Sequence, residues 1–190
     1  MRSIFLGSAI LIGSVFAASA QVINAPVVGG PGGGPFDDPC RPDGSVLVGY
    51  NVTSGKAMNQ FAAVCQAQNN GVLRGAVYGL RTWGKADNNG ADHIVVAPRC
   101  PLGMAIRAMQ IWVNKFKEID SVEATCFELL PNTAGTASLQ RTRTNGGQAS
   151  SNAESGCPPG TIALGITGRS GALVDALGLK CSSFPWHGRN

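Results

Sequence analysis

Short apolar runs broken by glycine-containing or polar turns recur along this chain. A period of two marks strands that bury one face. The sharpest case covers residues 164–181. Leu164 and Ile166 lead into Gly168-Arg169-Ser170-Gly171, and Leu173, Leu177 and Leu179 then lead to Cys181. Gly-x-x-Gly between apolar runs predicts a hairpin turning at 168–171, because glycine enters positive φ without steric cost. Upstream, Val46, Val48 and Tyr50 mark a strand over 45–52, Gly55-Lys56 a turn, and 58–65 a second strand. Asn69-Asn70-Gly71 and Asp87-Asn88-Asn89-Gly90 are further turns around a longer strand region at 72–83, and 94–97 is a short strand before Cys100. Residues 104–113 and 116–126 form another strand pair. The spacing over 105–113 also suits a helix, but the strand-like runs on both sides favour a strand. Residues 131–155 are polar and read as loops around one weak strand at 136–144, and 182–190 as a short tail carrying Phe184 and Trp186.

One pattern recurs three times: Cys, a Gly-containing turn, a strand, a polar turn, a strand, Cys. The copies run from Cys40 to Cys65, Cys100 to Cys126 and Cys157 to Cys181, and their opening cysteines stand 60 and 57 residues apart. Six residues before each closing cysteine sits Asn59, Asp120 or Asp175, and four before it Phe61, Val122 or Leu177. Copy two is the least regular and lacks the turn glycines. Three copies predict an all-β fold with threefold internal repeats. Six cysteines allow 15 disulfide connectivities. The repeats favour Cys40–Cys65, Cys100–Cys126 and Cys157–Cys181, each stapling its own hairpin and each worth about 3 kcal/mol in the chain-entropy model. No Cys-x-x-Cys pair is present, so no metal site is expected.

Residues 1–20 have the plan of a signal peptide of bacterial type, with Arg2, an apolar run from Ile4 to Phe16, and Ala18-Ser19-Ala20 as the cleavage site. Export to a secreted or periplasmic location follows, and it suits the disulfides. The apolar run is too short to favour a membrane span. The mature chain of about 170 residues suffices for one domain with a real core. Residues 21–39 are rich in Gly and Pro and read first as a flexible tail. Copies one and two are each followed by a long outer segment, whereas copy three is not. Residues 21–39 could fill that gap, pairing beside copy three and bringing 29–34 next to the 168–171 turn. Residues 40–190 are then the three-repeat β domain.

A net charge of +4, or +3 without Arg2, is too small and scattered to indicate nucleic acid. Arg141 and Arg143 make the tightest basic pair and read as a solvated strand face, as Arg169 reads as a solvated turn residue. His93 and His187 have no nucleophile in a recognisable motif. Asp37 and Asp38 are adjacent, which suits a turn better than a paired acid and base. Residues 29–34 lack the closing Lys of a phosphate loop. Asn51-Val52-Thr53 is a glycosylation sequon, read as idle. No enzyme and no cofactor are expected.

Two stretches carry a family resemblance. Gly168-Arg169-Ser170-Gly171-Ala172-Leu173-Val174-Asp175-Ala176-Leu177-Gly178 resembles the last hairpin of the jacalin-related lectins. Gly29-Gly30-Pro31-Gly32-Gly33 with Phe36-Asp37 is similar to their opening motif. The likeness is sharp over about 30 residues. It implies a β-prism of three Greek-key sheets and a non-catalytic carbohydrate site binding a glycan or glycoconjugate. Asp175 would accept hydrogen bonds from sugar hydroxyls, backbone N–H groups of Ala172 and Leu173 would donate, and Gly33 and Gly171 would let the backbone approach. The cysteines depart from that family. Asn59 weakens a second site in copy one, and Phe116 replaces the glycine in copy two, where no site is expected. The vitelline-membrane outer-layer proteins are also similar, through Cys100-Pro101-Leu102-Gly103 and Cys157-Pro158-Pro159-Gly160. Two readings of Asp175 stay open, a sugar ligand or a residue that only fixes a turn, since Asp120 holds the same place in a copy without a site. The corresponding alternative function is a structural or surface-interaction protein of the cell envelope.

Overall fold

The computed structural model describes residues 21–86, 94–129, 135–139, 141–142 and 149–183. The expected signal peptide, the 87–90 turn, His93, His187, Arg143 and the tail aromatics Phe184 and Trp186 lie outside the described residues. Among the described residues every regular element is a strand. In chain order these are β1 (Val22–Asn24), β2 (Val28–Gly29), β3 (Gly34–Pro39), β4 (Val46–Ser54), β5 (Met58–Asn69), β6 (Val72–Gly79) and β7 (Trp83–Gly84). They continue with β8 (Ile94–Val96), β9 (Met104–Val113), β10 (Ile119–Glu128), β11 (Thr136–Ser138), β12 (Ser151–Gly156), β13 (Thr161–Ser170) and β14 (Val174–Ser183).

The strands form three antiparallel sheets, each built on the hairpin of one repeat. Sheet I holds β4–β5, with β6 and β7 beside β5 and β8 beside β4. Sheet II holds β9–β10, with β11 beside β10 and β12 beside β9. Sheet III holds β13–β14, with β1 and β2 beside β14 and β3 beside β13. The 104–113 stretch is therefore strand and not helix. Residues 151–156, read from sequence as loop, form an edge strand whose ladder with β9 runs from Ser151↔Val113 to Gly156↔Ala108.

Each hairpin carries two β-bulges at matching places. Near the turn, pairing steps from Thr53↔Gln60 to Ser54↔Met58, from Ser121↔Trp112 to Ile119↔Val113, and from Arg169↔Ala176 to Ser170↔Val174. The residue left over is Asn59, Asp120 or Asp175. A bulged residue stands outside the ladder, which is why a polar side chain sits there in an apolar strand. The second bulge falls at Val48, Arg107 and Leu164. The carbonyl at each accepts the N–H of an opening cysteine: Cys100 to Val48 at 2.8 Å, Cys157 to Arg107 at 2.8 Å, and Cys40 to Leu164 at 2.6 Å. Each cysteine thus continues the edge of the sheet that precedes its own repeat, and the three bonds close a ring.

The disulfides are Cys40–Cys65, Cys100–Cys126 and Cys157–Cys181. Their closing partners lie on β5, β10 and β14. Each bridge therefore ties one sheet to the next, III to I, I to II and II to III. It does not staple its own hairpin, because the opening cysteine is held by the neighbouring sheet.

The core fills the space between the sheets. Tyr50, Phe61, Ile106, Met109, Ile111, Ile166, Leu177 and Leu179 are all fully buried there. Each large apolar side chain buried this way contributes about 1.5–3 kcal/mol. Phe36 on β3 is buried and stacks on Trp83 of β7 with ring centroids 4.5 Å apart, joining sheets III and I.

Candidate functional site

The β13–β14 turn is Gly171-Ala172-Leu173, displaced from the expected 168–171. Gly168 lies inside β13, opposite Phe36 and Leu177. A Cβ there would strike the Ala176 carbonyl and lie 2.7 Å from Phe36 Cζ. This glycine makes room for a ring and does not reverse the chain. The Gly171 N–H donates to Leu173 O at 3.0 Å and closes the turn. Ala172 is exposed and Leu173 half-buried.

Residues 30–33, which link β2 to β3, lie against this turn. Gly30 N–H donates to the Asp175 carbonyl at 2.9 Å. A Cβ on Gly32 would collide with Asp175 Oδ1, and one on Gly33 (φ +60°) would stand 2.6 Å from Asp175 Oδ2. A Cβ on Gly171 would stand 3.4 Å from Gly33 Cα and 3.7 Å from Asp175 Oδ2. The structure thus gathers Gly33, Gly171 and Asp175 at one point, with Ala172 and Leu173 on the turn beside them. Burial pushes the Asp175 carboxyl above its ordinary pKa; the Gly171 N–H pulls it back, the Glu118 charge raises it, and Arg169 lowers it.

Three contributors to this place were not legible in the sequence. Arg169 is not a solvated turn residue: Nε donates to the carbonyls of Pro31 and Gly32, both at 2.9 Å, and Nη2 to Gly33 at 2.7 Å. From sheet I, Lys85 N–H donates to Ala172 O at 3.1 Å. From sheet II, the 114–118 turn packs Lys117 against Gly30, where an added Cβ would meet Lys117 Cβ at 3.1 Å. Contacts between sheets leave no periodic signal in a sequence; for Arg169, its place inside the glycine motif was the available cue.

The other two hairpins use the same bulge differently. Asn59 is buried and its Oδ1 accepts the Gly55 N–H at 2.7 Å. Asp120 is buried and accepts the Ser121 hydroxyl at 3.2 Å. The copy-two turn needs no glycine, because Asn114 Oδ1 accepts the N–H groups of Phe116 at 2.8 Å and Glu118 at 3.1 Å while Lys117 takes φ +68°.

Elsewhere, Asp37 pairs with Lys180 at 2.5 Å and Asp38 accepts the Trp83 indole N–H at 3.1 Å, so the two neighbours face different partners. Arg141 is not simply solvated: it lies 3.6 Å over the Trp112 ring and donates to Ser121 Oγ at 2.8 and 3.0 Å. Asn51 Oδ1 accepts Arg99 Nη2 at 2.7 Å. Among the described residues no group of His, Cys, Asp or Glu is placed to hold a metal ion, and no helix is long and apolar enough to cross a membrane.

Three hairpin sheets around one core, closed by strands from the far end of the chain, define a jacalin-like β-prism. Solved structures that it resembles include those of jacalin-related lectins. The structure of a Malaysian banana lectin matches 86% of this chain and 100% of its own with a TM-score of 0.58 at 15% identity. A mannose-specific jacalin-related lectin from Morus nigra, solved with mannose, matches 89% of this chain and 99% of its own with a TM-score of 0.57 at 17% identity. Artocarpin, solved with mannotriose, matches 86% and 99% with a TM-score of 0.57 at 15% identity. At these identities the likeness is one of fold. No protein-family model and no curated protein matches the sequence.

Proposed function

We propose that this protein binds carbohydrate without catalysis at the β13–β14 turn. The observation that carries the reading is the Asp175 carboxylate, half-buried where the backbones of Gly32, Gly33 and Gly171 come against it. A carboxylate accepts two sugar hydroxyls at once, and glycine-lined backbone lets a flat, polar ring approach. N–H groups of Ala172 and Leu173 donate to further hydroxyls. The fold adds weight, since neighbours of the same architecture were solved with mannose and mannotriose. The partner is then a glycan or glycoconjugate. Three disulfides suit an oxidising compartment, so we place the protein outside the cytoplasm, secreted or periplasmic, after removal of residues 1–20.

A second reading rests on Asn59 and Asp120, which occupy the same bulge and are buried. If Asp175 is likewise a turn residue, the protein is a structural or surface-interaction component of the cell envelope. A glycan-array screen of the oxidised protein beside Asp175→Ala separates the two. Loss of one charged hydrogen-bond partner is expected to weaken binding about 10- to 100-fold with the fold unchanged by circular dichroism. Equal binding by the variant refutes the site, and a folded wild type that binds nothing favours the envelope reading.

A further inference from the structure

We infer that Arg169 is the positioning residue of this site: its guanidinium clamps residues 30–33 in the arrangement that faces Asp175. The inference rests on the carbohydrate reading above and adds a role to a side chain that touches no ligand in it.

Residues 30–33 contain three glycines and hold little conformational order of their own. At one end Gly30 is anchored to the Asp175 carbonyl, and at the other Gly34 pairs with Ser170. Between these points, three successive carbonyls, those of Pro31, Gly32 and Gly33, accept from one guanidinium. Adjacent carbonyls in an extended chain alternate in direction, so collecting three of them requires a curled loop. The curl brings the Gly32 and Gly33 backbone against the Asp175 carboxylate. A planar fork of fixed N–H directions can hold this set, while an ammonium offers a single point of charge on a flexible stem. The geometry therefore predicts that lysine does not substitute for Arg169. Preorganisation of this kind raises affinity by removing the ordering cost from the binding step.

The test uses the full oxidised protein and the variants Arg169→Ala, Arg169→Lys and Arg169→Gln. Amide hydrogen exchange without ligand is read for residues 30–34 against the β13–β14 core, and mannose affinity is read by calorimetry. The expected result is at least tenfold faster exchange confined to 30–34 in all three variants, with core protection kept, and a mannose affinity at least tenfold weaker. Unchanged exchange over 30–34 overturns the clamp whether or not the wild type binds mannose. Faster exchange with unchanged mannose affinity overturns the positioning role. A wild type that binds neither mannose nor any array glycan sinks the carbohydrate reading and, with it, the positioning role; the exchange data then still decide whether the clamp exists.

Discussion

Asp175 keeps a charge where burial opposes it. Its folded-state pKa is raised, chiefly by desolvation. A group shifted upward stabilises the fold below its ordinary pKa and loses that contribution as pH rises through the folded value. At pH 7 the ionised Asp175 therefore weakens the fold relative to a neutral side chain of the same shape. Asp175→Asn is expected to raise the melting temperature slightly at pH 7, and the gap to close near pH 3, as a pH series of thermal melts would show. Sugar binding should fall as the carboxylate protonates, starting at a higher pH than for an ordinary aspartate. Glu118 from sheet II moves that onset up and Arg169 moves it down. On the proposed carbohydrate reading, stability and binding would pull on this residue in opposite directions, a common state for a functional group.

At the scale of elements, the hairpins were legible as paired apolar runs on either side of a turn, although their inner strands are buried on both faces over much of their length. The bulge residue was legible as well, as a polar position fixed relative to the closing cysteine, but its meaning was not. Register steps at Asn59, Asp120 and Asp175 explain it. The edge strand β12 was not legible: Ser-Asn-Ala-Glu-Ser-Gly is largely exposed and takes its order from β9. Arg169 escaped for a different reason, since its carbonyl partners lie 136 to 138 positions away. Glycines within strands separate by the same logic. Gly84 has φ +89°, and a Cβ there would strike the Asn59 carbonyl, just as one at Gly29 (φ +135°) would strike that of Asp175. Gly79 has open space around it. Gly84→Ala and Gly29→Ala are each expected to cost about 1–3 kcal/mol, and Gly79→Ala to be near neutral, in urea denaturation. Gly29→Ala should also weaken sugar binding, whereas Gly79→Ala should not.

At the scale of the whole molecule, the sheets are locked in a ring by three equivalent hydrogen bonds and three equivalent disulfides. The sequence pointed to the pairing of the cysteines and to the repeat, but not to the ring, because a repeat describes each unit and not which unit it grips. Replacing both cysteines of any one pair with serine should cost about 2–5 kcal/mol, with similar values for the three pairs by chemical denaturation. Markedly unequal costs would count against the equivalence of the seams. The closure also sets a timetable. Sheets I and II are each built from neighbouring stretches of chain, whereas sheet III joins β1–β3 to β13–β14. Pairing between distant segments is slow to form, and a ribosome delivers the chain from its N-terminus. Residues 30–33 are made early and wait for Asp175. The last sheet to assemble is the one that would carry the sugar, so a molecule able to bind would be one whose folding is already complete.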